Sequence, residues 1–393
     1  MTRAVVWKGL NKMKFVLAPD SFKESMTAKE AADAMEKGIK KVLKNAECIK
    51  VPMADGGEGT VQSLVDATKG EIVNVKVTGP DGKSEVDAMF GILGDGKTAA
   101  IEMASASGLH LIEKEKRNPL YTTTYGTGEL IKAALDKGVS TILIGIGGSA
   151  TNDAGTGMLT ALGAKLLDEK EKEIPFGGGN LDKLNKIDLD GLDKRLIDID
   201  IRVACDVDNP LVGEKGASHV FGPQKGATKD IVEKLDKNLS YFADITENKI
   251  GKDLRNLEGA GAAGGLGFAL IAFLNAKLER GINLVIEYTK LREKIQEADF
   301  VFTGEGSIDF QTIFGKTPLG VARVSKEFDI PVIAFAGRIG DDVDALYENG
   351  IDSIVNILRG AIDLKTALKE GKINMEKASE NIARILVLTI RTK

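Results

Sequence analysis

Acidic side chains occur at the ends of strand-like apolar runs at five places in the sequence, and glycines accompany them at three of these places. The segments are APDSFKES (18–25), ADGGEGT (54–60), GGSATNDAG (147–155), ACDVDNP (204–210) and TGEGSID (303–309). Glycines allow backbone N–H groups to approach phosphate oxygens, and the N-terminus of a following helix adds favourable partial charge. Carboxylates at the same place would repel phosphate unless a cation lies between them, so the pattern implies Mg²⁺. Phosphoryl transfer is therefore the reaction class that these segments favour.

Two other glycine patterns point to different chemistry. GIGGSA (145–150) fits the G-x-G-x-x-A dinucleotide fingerprint, and Asp168 stands about where a ribose-binding acid would lie. FGKT (314–317) resembles the end of a phosphate-binding P-loop, but Phe310 occupies the position of the required glycine. An NAD-dependent oxidoreductase of a small hydroxy acid therefore stays as the alternative function, while the P-loop interpretation fails. A non-catalytic sugar-acid sensor would need an attached signalling or DNA-binding module, and the sequence contains no sign of one.

Composition excludes several classes of function. The net charge of −5 gives no electrostatic reason to expect nucleic acid or an anionic membrane as a partner. Only two histidines are present, so His-based zinc sites and Ser-His-Asp triads are poorly supplied, and acid-base work falls to carboxylates or lysines. Cys48 and Cys205 are too isolated for a disulfide framework, which indicates a reducing compartment. With no apolar run of about 18 residues and no signal peptide, we expect a cytoplasmic protein.

The elements that position these segments follow an alternating pattern. The strand KFVLAP (14–19) precedes a helix whose apolar residues recur with helical period, with Thr27 and Glu30 forming a capping box. A second strand, CIKVPMA (48–54), leads through DGGEGT into another helix. Successive strand-loop-helix units predict a parallel sheet with crossover helices, whose loops lie at the carboxyl edge of the sheet.

The pattern changes in the middle of the chain. From about residue 71 it consists of alternating strands with a turn at Pro80-Asp81-Gly82, and strand-helix alternation returns near ADFVFTGEGSID (298–309). We therefore expect an α/β fold with two domains. A discontinuous Rossmann-like parallel-sheet domain would comprise residues 13–71 and 291–393, with a nested α/β domain of mixed sheet at 72–290 and a ligand cleft between the domains. Residues 1–12 form an N-terminal extension.

Several long strings together resemble the bacterial glycerate kinase family of type 1. They are APDSFKESMTAKEAADAMEKGI, MADGGEGT, IEMASASGL, TTTYGTGELI, GIGGSATNDAGTGML, ACDVDNPL, GPQKGA and TGEGSIDFQTIFGKTP, in order from Met13 nearly to the C-terminus. The resemblance implies ATP-dependent phosphorylation of D-glycerate, with 2-phosphoglycerate favoured as product and 3-phosphoglycerate as the alternative. It also implies a two-domain fold. ATP and Mg²⁺ are the cofactors that we expect, and we expect the protein to be a monomer or homodimer.

The residues divide into three proposed roles. Lys23 would contact an anion or phosphate, and Asp206 and Asp309 are the candidate bases that accept the proton of the attacking hydroxyl. Asp55 and Glu58 are the candidate Mg²⁺ ligands. The candidate substrate- or nucleotide-binding residues are Asp20, Ser21, Gly56, Gly57, Gly59, Gly147, Gly148, Ser149, Asn152, Asp153, Glu305 and Arg338. Asp153 and Asn152 have a second interpretation, because an Asn-Asp pair is also typical of a helix cap.

Overall fold

The computed structural model of the chain describes residues 13–391, with side chains described through residue 388. The expected N-terminal extension, residues 1–12, lies outside the described residues. In chain order the strands are β1 (Lys14–Pro19), β2 (Glu47–Lys50), β3 (Glu71–Thr78), β4 (Glu85–Ile92), β5 (Thr98–Glu102), β6 (Thr141–Gly145), β7 (Lys165–Leu167), β8 (Lys186–Asp188), β9 (Asp200–Ala204), β10 (Lys277–Glu279), β11 (Phe300–Ile308), β12 (Val332–Ile339) and β13 (Ser353–Asn356). The helices are α1 (Ala28–Lys40), α2 (Thr60–Thr68), α3 (Ala104–Ser107), α4 (Tyr125–Asp136), α5 (Thr156–Ala161), α6 (Ala217–Phe221), α7 (Lys229–Ile250), α8 (Ala262–Leu274), α9 (Gly281–Tyr288), α10 (Leu291–Ile295), α11 (Thr317–Lys326), α12 (Asp344–Glu348), α13 (Leu364–Lys369) and α14 (Gly371–Arg391).

The described chain forms two compact units. The first contains the residues up to Asp55, then Asp66–Thr68, and then those from Ile282 onward, whereas the second contains Gly56–Val65 and Lys69–Gly281. The first unit is thus built from both ends of the chain. A parallel sheet in this unit and a mixed sheet in the other confirm the α/β fold class expected from the sequence.

The sheet of the first unit has the strand order β13-β12-β11-β1-β2, and all of its neighbouring strands are parallel. The inner strands β1, β11 and β12 are buried over most of their length, as expected where helices cover both faces of a sheet, whereas the edge strands β2 and β13 are only partly buried. Phe302 packs against Phe15 and Phe335, with ring centroids 5.4 and 5.1 Å apart. β2 is shorter than the predicted strand 48–54, although the Val51 and Met53 N–H groups still donate to the Leu17 and Pro19 carbonyls of β1.

Helix α1 begins as the sequence predicts. The Thr27 side chain accepts a hydrogen bond from the Glu30 N–H, and the Glu30 carboxylate accepts one from the Thr27 N–H. The C-terminal helix α14 packs on α1 so closely that a Cβ at Gly38 would lie 2.2 Å from the Glu376 carbonyl oxygen. Glycine at this position therefore sets the distance between the two helices.

The main sheet of the second unit has the order β10-β9-β6-β5-β4-β3. β3, β4 and β5 are antiparallel neighbours, and the turn predicted at Pro80–Gly82 joins β3 to β4. β5, β6, β9 and β10 are parallel, so their carboxyl ends lie along one edge of the sheet. That edge carries Glu102, Gly145 and Ala204 as the last residues of three adjacent strands. Between residues 13 and 391, none of the helices has the length and apolar character needed to cross a membrane.

Candidate active site

Asp20 follows β1 and is held by three hydrogen bonds within the first unit. Its N–H donates to the Gly304 carbonyl at 2.8 Å, while its carboxylate accepts from the Ser21 N–H at 2.6 Å and from the Thr317 hydroxyl at 2.5 Å. Burial raises the pKa of Asp20 to about 6, the Thr317 hydrogen bond opposes that rise, and the negative charge of Asp55 adds to it.

Glu305 lies within β11, on the strand next to Asp20. Its carboxylate accepts a hydrogen bond from the Thr312 hydroxyl at 2.9 Å, and the Lys316 Nζ lies 3.8 Å away. Burial raises the pKa of Glu305 to about 7, the Lys316 charge opposes this rise, and Asp20 and Asp55 reinforce it. Asp20, Asp55 and Glu305 therefore form an acidic group whose members repel one another.

Two exposed cations come from the same carboxyl edge of this sheet. The Lys23 backbone nitrogen lies 3.7 Å from the position that a Cβ of Gly306 would occupy, so the Lys23 loop crosses β11 just beyond Glu305. Arg338 lies on β12, in register with Ser307 of β11. Both side chains are exposed, and neither forms an ion pair within the described part of the chain. They are placed to receive an anionic ligand.

Asp309 stabilises a local turn in the structure. It is the N-cap of a 3₁₀ turn at Phe310–Phe314, and its carboxylate accepts a hydrogen bond from the Gln311 N–H at 2.9 Å. The Asp309 N–H in turn donates to the Thr312 hydroxyl at 3.3 Å. The same threonine contacts Glu305, so this turn connects Asp309 to the acidic group.

In the second unit, the loop containing Gly56, Gly57, Glu58 and Gly59 leads into α2. The Glu102 carboxylate accepts a hydrogen bond from the Val61 N–H at 2.9 Å, at the first turn of this helix. Burial raises the pKa of Glu102, the α2 amides lower it, and the charge of Glu58 raises it further. Glu102 thus already supplies the anion that the N-terminus of α2 favours.

Asp206 follows β9 and lies beside Gly56. Its carboxylate accepts from the Gly281 N–H at 3.2 Å, and its carbonyl accepts from Arg280, which also pairs with Asp208 at 3.1 Å. Gly56 has φ +97°, and a Cβ there would lie 2.8 Å from the Gly281 Cα. The same Cβ would lie 3.5 Å from the Asp206 Oδ2, so glycine allows the backbone to pass close to this carboxylate.

The loop between β6 and α5 has an exposed end and a buried end. Gly147 and Gly148 are exposed, and their N–H groups donate to no acceptor in the described part of the chain. Ser149 is buried, and Asn152 and Asp153 have no exposed surface. The sequence predicted all five as candidate ligand residues, but only the two glycines present their atoms to solvent.

Asp153 fixes the start of α5 and the residue before α4. Its carboxylate accepts hydrogen bonds from the N–H and hydroxyl of Thr124 at 2.8 and 2.9 Å, and from the N–H groups of Gly155 and Gly157, both at 3.2 Å. Burial raises the pKa of Asp153, and these four donors oppose the rise. The geometry favours the second sequence interpretation, a helix-capping side chain. Asn152 donates to Ser218 at 3.1 Å, and its Oδ1 has no partner among the described residues.

Sequence reasoning did not single out Glu102, Lys225, Arg280, Lys316 or Thr317. Lys316 and Thr317 end the FGKT string, which fails as a P-loop and yet contacts Glu305 and Asp20. Lys225 belongs to GPQKGA, and its buried Nζ donates to the Thr151 carbonyl at 2.5 Å. Except for Arg280, each of these residues lies in one of the strings that resemble the glycerate kinase family, but no local pattern indicated what its side chain contacts.

The acidic group is suited to a divalent cation. Among the described residues, no cluster of three or more His, Cys, Asp or Glu side chains could hold a metal ion on its own. Mg²⁺ takes only one or two carboxylates from a protein and completes its shell with phosphate oxygens and water. The mutual repulsion of Asp20, Asp55 and Glu305 is the charge pattern that such a cation would relieve.

The structure gives the dinucleotide interpretation no support. Asp168 accepts hydrogen bonds from the Lys170 and Lys172 N–H groups at 2.8 and 2.9 Å, so its carboxylate closes a surface turn. The GIGGSA loop does not lead directly into a helix, because α5 starts only at Thr156. A fingerprint of this kind requires the helix N-terminus next to the glycines.

Known proteins resemble this chain along almost its whole length. The model of the glycerate kinase family matches residues 15–387. Glycerate kinase of Bacillus subtilis is 56% identical over 96% of this chain and 98% of its own length. Glycerate 2-kinase of Escherichia coli K12 is 52% identical over 96% of this chain and 99% of its own. The crystal structure of a "putative glycerate kinase 2" from Salmonella typhimurium LT2 superposes with a TM-score of 0.90, with 48% identity over 97% of this chain and 100% of that one. The chain belongs to the glycerate kinase family and is a kinase.

Proposed function

We propose that this kinase transfers the γ-phosphoryl group of ATP to D-glycerate and forms 2-phosphoglycerate, with Mg²⁺ as the cofactor. The relatives named glycerate kinase support the acceptor, and the Escherichia coli relative named glycerate 2-kinase supports the 2-position over the 3-position. The observation that carries the proposal is the acidic group of the first unit, flanked by Lys23, Lys316 and Arg338. Phosphoryl transfer needs both kinds of charge, since cations stabilise the phosphoryl oxygens and carboxylates bind the metal.

Lys23 and Arg338 would bind the anionic parts of the substrates. Glycerate has a carboxylate, and ATP has a triphosphate, so exposed cations that form no ion pair with any described residue fit either group. Ser21, next to Asp20, could donate a hydrogen bond from its hydroxyl to the same anion. Because the reacting hydroxyl must be aligned with the γ-phosphorus, fixed contacts of this kind supply much of the rate.

Asp206 is our candidate for the group that accepts the proton of the glycerate hydroxyl. One carboxylate oxygen is fixed by the Gly281 N–H, and the other lies next to the Gly56 backbone. A carboxylate oriented in this way can take up a proton as the phosphoryl group is transferred. Asp309 remains the second candidate, although its carboxylate also caps a turn.

Asp55 and Glu58 are the residues that we propose as Mg²⁺ ligands. When bound, the metal would neutralise charge on the phosphate oxygens, as in other phosphoryl-transfer enzymes. That the residues of the two units form one active site stays a prediction, as do the cytoplasmic location and the monomeric or homodimeric state.

The decisive experiment combines the purified protein with ATP, Mg²⁺ and D-glycerate, and couples ADP formation to an optical readout. Phosphorus NMR of the product then distinguishes 2-phosphoglycerate from 3-phosphoglycerate. L-Glycerate and lactate are the matched controls, because the first changes only the stereochemistry and the second lacks one hydroxyl. If D-glycerate gives no ADP while another hydroxy acid is phosphorylated, the proposed substrate is wrong but the reaction class, phosphoryl transfer, still holds. Incubation with NAD in place of ATP tests the oxidoreductase alternative, and formation of NADH would revive it.

A further inference from the structure

Lys225 is a buried lysine beneath the glycine loop of the second unit. Its side chain is 2% exposed, and its Nζ donates to the Thr151 carbonyl at 2.5 Å and to the Ser149 hydroxyl at 3.3 Å. Burial lowers the pKa of Lys225 to about 7, and the charge of Asp153 opposes that decrease. Both acceptors belong to the loop that begins with Gly147 and Gly148.

A buried ammonium group at this position lowers the stability of the fold, whereas an apolar residue at the same position would not. Removing such a charge from water costs several kcal/mol, and an apolar side chain of similar volume is often equally or more stable. Packing alone therefore does not explain why the loop rests on a lysine. A positive charge directly below an anion-binding loop would repay the desolvation when the anion is bound.

The loop that contacts Lys225 packs against a second glycine-rich segment, and the N–H groups at its exposed end donate to no acceptor among the described residues. Gly264 has φ +71°, and a Cβ there would lie 2.0 Å from the Thr151 carbonyl oxygen, so the backbones of the two glycine-rich segments are in direct contact. Ser149 also reaches the carbonyl of Ala263 at 3.4 Å. At the exposed end, by contrast, a Cβ at Gly147 would meet no atom within 4 Å. Free amides on a fixed backbone are the arrangement that binds oxyanions.

The N-terminus of α2 is the other backbone site that the sequence suggested for phosphate. Glu102 already accepts the Val61 N–H there, so a second anion would be repelled. Within the second unit, the amides of Gly147 and Gly148 therefore offer the better position for an oxyanion.

We propose that Lys225 is a positioning residue that holds the 147–153 loop through Ser149 and Thr151, so that the Gly147 and Gly148 amides bind an oxyanion of a substrate. This inference rests on the proposed function, because both substrates of that reaction carry such a group. The phosphates of ATP are the expected source, and the carboxylate of glycerate is the other.

The test uses the full-length chain with Lys225→Met, which keeps the side-chain length and removes the charge, and Lys225→Gln, which keeps a hydrogen-bond donor. Lys229→Met is the matched control, since Lys229 is exposed at the start of α7 and the net charge changes equally. We expect both Lys225 variants to raise the KM for ATP by about tenfold or more while kcat changes by less than about threefold. Thermal unfolding should show that Lys225→Met is at least as stable as the parent, and the Lys229 control should resemble the parent throughout.

Titration calorimetry with ADP and, separately, with D-glycerate identifies the oxyanion without relying on turnover. Weaker ADP binding by the Lys225 variants assigns the loop to phosphate, and weaker glycerate binding assigns it to the carboxylate. Unchanged KM and binding constants for both ligands, or a loss of kcat alone, would overturn the positioning role while leaving the kinase assignment intact. If the parent protein binds ADP but does not phosphorylate glycerate, the proposed function fails and the ADP titrations still decide the role of Lys225.

Discussion

The Thr317 hydroxyl donates a hydrogen bond to the Asp20 carboxylate at 2.5 Å, although the two residues are 297 positions apart in the sequence. This contact joins the first residue of α11 to the loop that follows β1. It also opposes the rise in the pKa of Asp20 that burial causes.

Thr317→Val removes this donor and keeps the shape of the buried side chain. A hydrogen bond to a charged group contributes about 1.5 to 3 kcal/mol, so we expect kcat/KM to fall by about tenfold to a hundredfold. The pKa of Asp20 should rise, and the acidic limb of the pH–rate profile should move to higher pH. Thr317→Ser retains the hydroxyl and should stay near the parent rate. Equal rates for the valine and serine variants would show that the contact does not matter for activity.

Glu305→Gln should stabilise the protein at alkaline pH. The folded-state pKa of Glu305 is raised from 4.5 to about 7, so the folded state binds the proton more tightly than the unfolded chain. The parent therefore loses stability as pH rises from about 4.5 through 7, whereas the glutamine variant has no proton to lose. Without divalent cations, denaturant unfolding at about pH 8 should favour the variant by roughly 2 to 3 kcal/mol. The difference should disappear near pH 4.5, and a constant difference would contradict this explanation.

Lys23→Ala should lower turnover while the fold stays intact. Lys23 is exposed and has no ion pair in the described structure. Replacing it therefore removes a positive charge that would contact the ligand but few contacts that stabilise the fold. We expect kcat/KM to fall by more than about tenfold, with thermal unfolding unchanged. Lys29→Ala, an exposed lysine of α1, is the control for surface charge. A rate within experimental error of the parent would remove Lys23 from the proposed site.

Asp206→Asn and Asp309→Ala should separate a base from a cap. Loss of a general base lowers kcat by about a hundredfold or more, and we expect this for Asp206. Loss of an N-cap lowers the free energy of unfolding by about 1 kcal/mol, and we expect this loss of stability for the Asp309 variant, with little change in kcat. Steady-state kinetics and denaturant unfolding on both variants check the assignment. The reverse pattern would make Asp309 the base.

Asp153→Asn should destabilise the second unit. The asparagine amide would point N–H groups at a position where Thr124, Gly155 and Gly157 already supply four donors. An uncompensated change in a buried, charged network costs about 3 kcal/mol or more, which lowers the unfolding temperature. Asp168→Asn, on a surface turn, is the comparison and should have a small effect. Normal stability with weakened substrate binding would instead return Asp153 to the list of ligand contacts.

Local patterns in the sequence predicted local structure well. The Thr27–Glu30 capping box and the hairpin turn at Pro80–Gly82 both depend on residues within a few positions, and both are present. The family strings led to the family itself, which the comparisons confirm. The alternation of strands and helices predicted the fold class, because the period of the apolar residues reflects which faces of each strand or helix are buried.

Contacts between distant segments were not predictable in this way. Nothing near Thr317 indicates Asp20, and nothing near Val61 indicates Glu102 as the anion at its helix start. Most of helix α2 lies in the second unit and its last three residues, Asp66–Thr68, lie in the first, whereas strand-helix alternation groups the whole helix with the first strands. The domain division at 71/72 and 290/291, understood as independently folding parts, stays a prediction.

The pairing of β1 with β11 has a consequence for protein synthesis. The Thr303 hydroxyl on β11 donates to the Ala18 carbonyl on β1, a contact that spans 285 residues. A ribosome needs on the order of tens of seconds to make a segment of that length. During this interval the nascent chain can complete Lys69–Gly281, while the apolar β1 has only β2 beside it. β1 is therefore translated early but is among the last strands to be fully paired.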